Sequence, residues 1–177
     1  MFESNRYQVR EKTLSKGDQH KVYEEDDLIL YSRIEDKDLR EDVVFVDQDD
    51  NTRLVVTTNP KLDVPVSYSI IDSEKDEVVG GLRREWGSLR HRWKLIAGDN
   101  SIVGTIKEDH LSLSLIRRFI TTVLPFRYDM VDEDGEHLAD IDGEFNMRDV
   151  YNVNIHSDLD PRLVLAAALV MDFIETK

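Results

Sequence analysis

The 177-residue chain has no cysteine, only four prolines and eight glycines, and five histidines. Without a thiol, disulfides, thiolate metal sites and cysteine nucleophiles are excluded. His20, His91, His110, His137 and His156 are scattered with no H-x-x-x-H pair, so their spacing predicts no zinc site. G-x-S-x-G, Walker and G-x-G-x-x-G motifs are absent. A Ser–His–Asp triad assembled by folding alone would leave no such trace, but dispersed surface histidines are the simpler account. Positive charge is also scarce, with 23 Lys and Arg against 37 Asp and Glu, a net charge of −14. A nucleic-acid binder would need a broad basic face, so that class is excluded. The opening MFESNRYQVREK carries no apolar signal region. No transmembrane segment, cofactor or catalytic activity is expected; the reading is of a cytoplasmic protein, at most peripheral to a membrane.

One long apolar run does exist, and it lies at the end. Asp160 is a good helix N-cap and Pro161 suits the first helical position. From Leu163 to Ile174 every residue but Asp172 is apolar, so a helix over about 160–176 has no polar face. Such a helix must be surrounded. Its apolar run of about 12 residues is well short of the ~20 that cross a bilayer. Leu163, Leu165, Leu169, Val170, Phe173 and Ile174 are therefore expected to be core, with Ala166, Ala167 and Ala168 giving a slim middle.

The rest of the chain supplies the surround. Segments 20–34, 43–58, 66–85, 92–109 and 126–145 each alternate with period two, turn at Asp, Asn or Gly, and alternate again. That is the hairpin signal. Gly80, Gly81 and Gly104 fall inside second strands, where they predict bulges or tight bends. With Tyr7–Thr13 before and Val150–His156 after, about twelve antiparallel strands result. A sheet that wide tends to curl, and closure removes its edges. The predicted fold is one domain, 1–177: a closed antiparallel barrel around the C-terminal helix, whose length of roughly 25 Å matches the barrel height. A filled interior leaves no deep pocket for a small substrate. Segment 110–125 breaks the pattern and reads as a strand passing into a short helix that ends at Pro125.

Charge is uneven along the chain. Residues 83–94, RREWGSLRHRWK, carry a net +4 in a chain whose remainder is −18, and hold both tryptophans, Trp86 and Trp93. Arg83, Arg84, Arg90, Arg92, Lys94 and Trp86, joined by Arg117, Arg118 and Arg127, are a candidate anion or lipid head-group site, because Arg pairs with phosphate and Trp suits a bilayer interface. The plainer account packs Trp93 inward while the alternate Arg residues neutralise neighbouring Asp. Asp (23) outnumbers Glu (14), and Arg (14) outnumbers Lys (9), which is a halophile-like surface composition. At molar salt the Debye length falls to about 3 Å, leaving only direct contacts to such a patch.

The opening YQVREKTLSKGDQHKVYEEDD, with its K-V-Y and acidic turn, resembles the start of LURP-one-related proteins, of the tubby C-terminal-like group that includes phospholipid scramblases. The close is a stronger likeness, from FRYDMVDEDGEHLADIDGEF through DVYNVNIHSDLD to the Ala-rich run and Asp172-Phe173-Ile174-Glu175. The resemblance implies a twelve-stranded barrel around a central helix. From scramblases it implies a calcium-binding acidic stretch, matched here by Asp140, Asp142 and Asp149 with Asp158 and Asp160, although an EF-hand-like spacing is missing and turn carboxylates with an N-cap account for these more simply. From tubby domains it implies phosphoinositide binding by surface Lys and Arg. The Cys- and Pro-rich N-terminal extension of scramblases has no counterpart. Three readings follow: a barrel that binds anionic phospholipid, a protein-interaction or scaffold module, and a Ca²⁺-responsive barrel.

Overall fold

A computed structural model describes residues 1–12, 19–37, 40–58, 61–85, 92–108, 127–143 and 150–175. Twelve strands follow in order: β1 (Arg6–Lys12), β2 (Gln19–Glu24), β3 (Asp27–Lys37), β4 (Arg40–Val46), β5 (Thr52–Thr57) and β6 (Tyr68–Asp72), then β7 (Glu77–Arg84), β8 (Arg92–Ala97), β9 (Ile102–Glu108), β10 (Arg127–Val131), β11 (His137–Gly143) and β12 (Val150–Ile155). Each pairs antiparallel with its sequence neighbours, and β1 pairs with β12, so the barrel closes. The chain ends in one helix, α1 (Pro161–Glu175).

That helix is inside. Each residue from Leu163 to Met171 is at most 3% exposed, and all twelve strands contribute side chains to the cluster that encloses them. No strand could bury its inner row against water, and no helix so apolar could face it; enclosure satisfies both. Asp160 caps the helix as expected: its Oδ1 accepts the Arg162 N–H at 2.9 Å, and its carbonyl accepts those of Leu163 and Val164. Two of the three glycines do sit beside bulges, Gly80 where β6 and β7 slip and Gly104 where β8 and β9 slip. A Cβ at Gly80 would collide with the Ile96 carbonyl oxygen and press on Leu163 Cδ1 at 3.1 Å, so glycine there lets β7 approach the helix.

The turns explain part of the acidity. Asp47 accepts the N–H groups of Asp49 and Asn51, Asp72 those of Glu74 and Lys75, Asp99 that of Ser101, and Asp132 that of Glu136. Each is an Asp folding its own hairpin turn. Asp50, Asp76 and Asn100 take positive φ in these turns, which short polar side chains tolerate. In an antiparallel barrel all these turns lie at one end, the end where α1 begins. Segment 110–125 lies outside the described residues.

Candidate functional site

On β7–β9 the alternation points Leu82, Trp93, Leu95 and Ile106 into the core. The residues between them face out. Cross-strand register sets Arg83 beside Lys94 and Arg92 beside Lys107, with Arg92 and Lys94 two residues apart on β8. Four cations thus occupy one outer face, on strands ~4.8 Å apart. Arg92 and Lys107 are exposed, Arg83 and Lys94 half-buried. Lys94 Nζ donates to Thr105 Oγ1 at 3.0 Å and lies 3.7 Å from Glu85 Oε1. Among the described residues no carboxylate pairs with Arg83, Arg92 or Lys107. Like charges placed opposite on a sheet repel; an anion lying between them would remove that penalty.

The island that looked continuous in sequence is divided by the fold. Trp93 is 4% exposed, tilted against Tyr68 with ring centroids 5.9 Å apart, so it is core and not an interfacial anchor. Arg84 shares the inward parity of Leu82, its guanidinium 6.0 Å from the Trp93 ring. Arg127 does not join the face, because it pairs with Asp142 across β10 and β11. Lys107 does join it, unforeseen; its place beside inward-facing Ile106 was the available clue. Trp86, Arg90, Arg117 and Arg118 lie outside the described residues.

Around the barrel, β10–β12 carry a second outer cluster. Asp140, 8% exposed, accepts Asn154 Nδ2 at 2.8 Å and meets His156 Nε2 at 2.6 Å. Desolvation pushes its carboxyl up, but the bonds from Asn154 and His156 outweigh this and hold it below the usual carboxylate range. His137 stacks on His156 with ring centroids 5.3 Å apart and reaches Asp129 Oδ1 at 3.1 Å. One ligand atom from each of His137, Asp140 and His156 lies within 4.8 Å of the others. The expectation of merely dispersed histidines fails here, because antiparallel pairing of β11 and β12 joins residues nineteen apart in sequence. Of the acidic stretch, Asp142 is tied to Arg127, Asp158 is exposed and Asp160 caps the helix; Asp149 lies outside the described residues.

The model of the family described as LURP-one-related matches residues 5–172, from the edge of β1 to within α1. The chain belongs to the LURP-one-related family. Among solved structures, this LURP-one-related barrel is similar to the X-ray structure of a protein from Arabidopsis thaliana, with a TM-score of 0.58 over 96% of this chain and 91% of that one. Identity is 7%, so the likeness concerns the fold alone. No curated protein matches the sequence. No described helix is long and apolar enough to cross a membrane.

Two further groups of this LURP-one-related barrel bear on function. His20 is 1% exposed, and its ring shares a hydrogen bond with the Ser32 hydroxyl at 3.0 Å inside the barrel, where no substrate reaches. At the end where α1 enters, a surface cavity of about 660 Å³ is lined by Phe2, Arg53, Asp72, Glu74, Leu159 and Arg162. The filled interior therefore coexists with a hollow at its mouth, which the sequence did not disclose. Most of its charges are spent internally. Arg162 pairs with Asp160, Asp72 and Glu77, and Arg53 with Asp47 and Glu74. The hydrogen bond to Asp160, followed by those to Glu77 and Asp72, raises the Arg162 pKa further despite desolvation.

Proposed function

We propose that this LURP-one-related barrel associates peripherally with anionic phospholipid, taking head-group phosphates on the outer β7–β9 face. The observation that carries the reading is the set of Arg83, Arg92, Lys94 and Lys107, with no carboxylate among the described residues pairing to the two arginines or to Lys107. Guanidinium forks suit phosphate oxygens. Each basic residue near an anionic surface contributes about 1 kcal/mol, so Arg83, Arg92 and Lys107 supply about 3 kcal/mol, roughly a hundredfold in partitioning, while Lys94 is offset by Glu85. The remaining acidic surface is repelled by the same membrane, so it would orient the barrel with this face inward. Trp86, Arg90, Arg117 and Arg118 are proposed to extend the site.

Co-sedimentation with vesicles of phosphatidylcholine, with and without phosphatidylserine, tests this across a salt series. Binding should need the anionic lipid and weaken as salt rises, because screening shortens the reach of charge. The Arg92→Glu/Lys107→Glu variant, altered at two exposed positions, should lose it. Absence of sedimentation with anionic vesicles at low salt would overturn the proposal. A stoichiometric protein recovered by pull-down through this face would do so as well, in favour of an interaction module.

A further inference from the structure

We infer that His137, Asp140 and His156 form a site for a divalent transition-metal cation of the zinc class, separate from the basic face. The ligand chemistry selects the metal. Two imidazoles and a carboxylate suit zinc, copper or nickel, whereas calcium and magnesium want oxygen throughout. The site thus differs in kind from an acidic calcium loop.

The geometry needs little change. Ligand atoms around a tetrahedral zinc, each ~2.0–2.1 Å from it, sit roughly 3.4 Å apart. Here one such atom from each of the three residues already lies within 4.8 Å of the others. His156 Nε2 and Asp140 Oδ1, 2.6 Å apart, now share a proton that a cation would replace. His137 directs its own Nε2 at Asp129 Oδ1, 3.1 Å away, which places a second carboxylate at the edge of the site. Asp129 and Asp140 are register partners on β10 and β11.

The supports are rigid. Asn154 donates to Asp140 Oδ2 and so fixes the carboxylate with Oδ1 toward the imidazoles, which is the role outer hydrogen bonds play in metal sites. The His156 backbone N–H is held by the Leu138 carbonyl at 2.8 Å, and Ser157 Oγ donates to the same oxygen. Both His side chains are nearly half exposed, 45% and 46%, so a cation enters from solvent without opening the barrel. The strongly acidic chain concentrates cations around itself.

The test uses full-length protein stripped by a chelator, without vesicles, so its outcome is independent of lipid binding. Calorimetric titration with ZnCl₂ at neutral pH should give equimolar binding, and Co²⁺ should give the visible absorption of a tetrahedral nitrogen–oxygen site. His137→Gln and His156→Gln, at half-exposed rings and with folding checked by circular dichroism, should each weaken affinity at least tenfold and abolish the Co²⁺ spectrum. Asp134→Asn, in the exposed β10–β11 turn, should change neither. No saturable heat with the wild-type chain would overturn the inference. So would unchanged affinity in both histidine variants, or an equal loss in Asp134→Asn, which would mean diffuse adsorption to carboxylates.

Discussion

An alanine series around α1 tests enclosure directly. At 3.6 residues per turn, Leu163, Val164, Leu165, Leu169 and Val170 lie at about 0°, 100°, 200°, 240° and 340° around the axis, so they sample the whole circumference. All five are buried, at 0–3% exposure. Each Leu→Ala change should cost about 2–5 kcal/mol, from lost transfer energy and the cavity left behind. Each Val→Ala removes two methyl groups, at about 0.8 kcal/mol each before the cavity cost. For a chain of this size, 1 kcal/mol moves the melting midpoint by about 2–4 °C, so each Leu variant should melt about 4–20 °C lower by circular dichroism. Ile102→Ala, 40% exposed on β9, is the control and should fall within about 0.5 kcal/mol. A helix lying on the outside of a sheet would be sensitive along one stripe only. If any of the five positions tolerates alanine as Ile102 does, the helix is not surrounded and the architecture is wrong.

Arg162→Met should destabilise the protein by about 3 kcal/mol in urea, the low end for uncovering a buried charge, because Asp72 keeps two backbone N–H donors. Arg162→Lys should recover only part of this, since an ammonium lacks the fork that spans Asp160, Asp72 and Glu77. Acid should also weaken the fold. Desolvation raises the Asp47 carboxyl, but bonds from Asn51, Arg53 and the Asp49 N–H outweigh it and bring the pKa down to about 2. A carboxyl depressed in the folded state stabilises it fully above its unfolded pKa of ~3.9, and that contribution is lost as pH falls toward 2. Urea midpoints should therefore drop between about pH 4 and 2, and Asp47→Asn should flatten that drop. An equal slope in wild type and variant would refute it.

Local rules made most of the fold readable. Period-two alternation located the twelve strands, and Asp160-Pro161 placed the helix start, because these patterns act between neighbours in sequence. Gly80 and Gly104 were legible as bulge sites for the same reason. Aspartates at the hairpin turns were legible too, as Asp between alternating runs; the structure adds which N–H groups each carboxylate accepts.

The functional surfaces were harder to read, since a cluster in sequence is not a cluster on a sheet. Arg83 and Arg84 are adjacent in the chain, yet parity sends one outward and the other toward Trp93. Lys107 and Arg92 are fifteen apart, yet register makes them neighbours. The sequence alone determined the alternation, the cap and the wholly apolar helix, because hydrophobic period and backbone preference are properties of short segments. Only the closed barrel decided which charges share a face and which histidines meet, because strand register is set by burying every inner row around one helix at once.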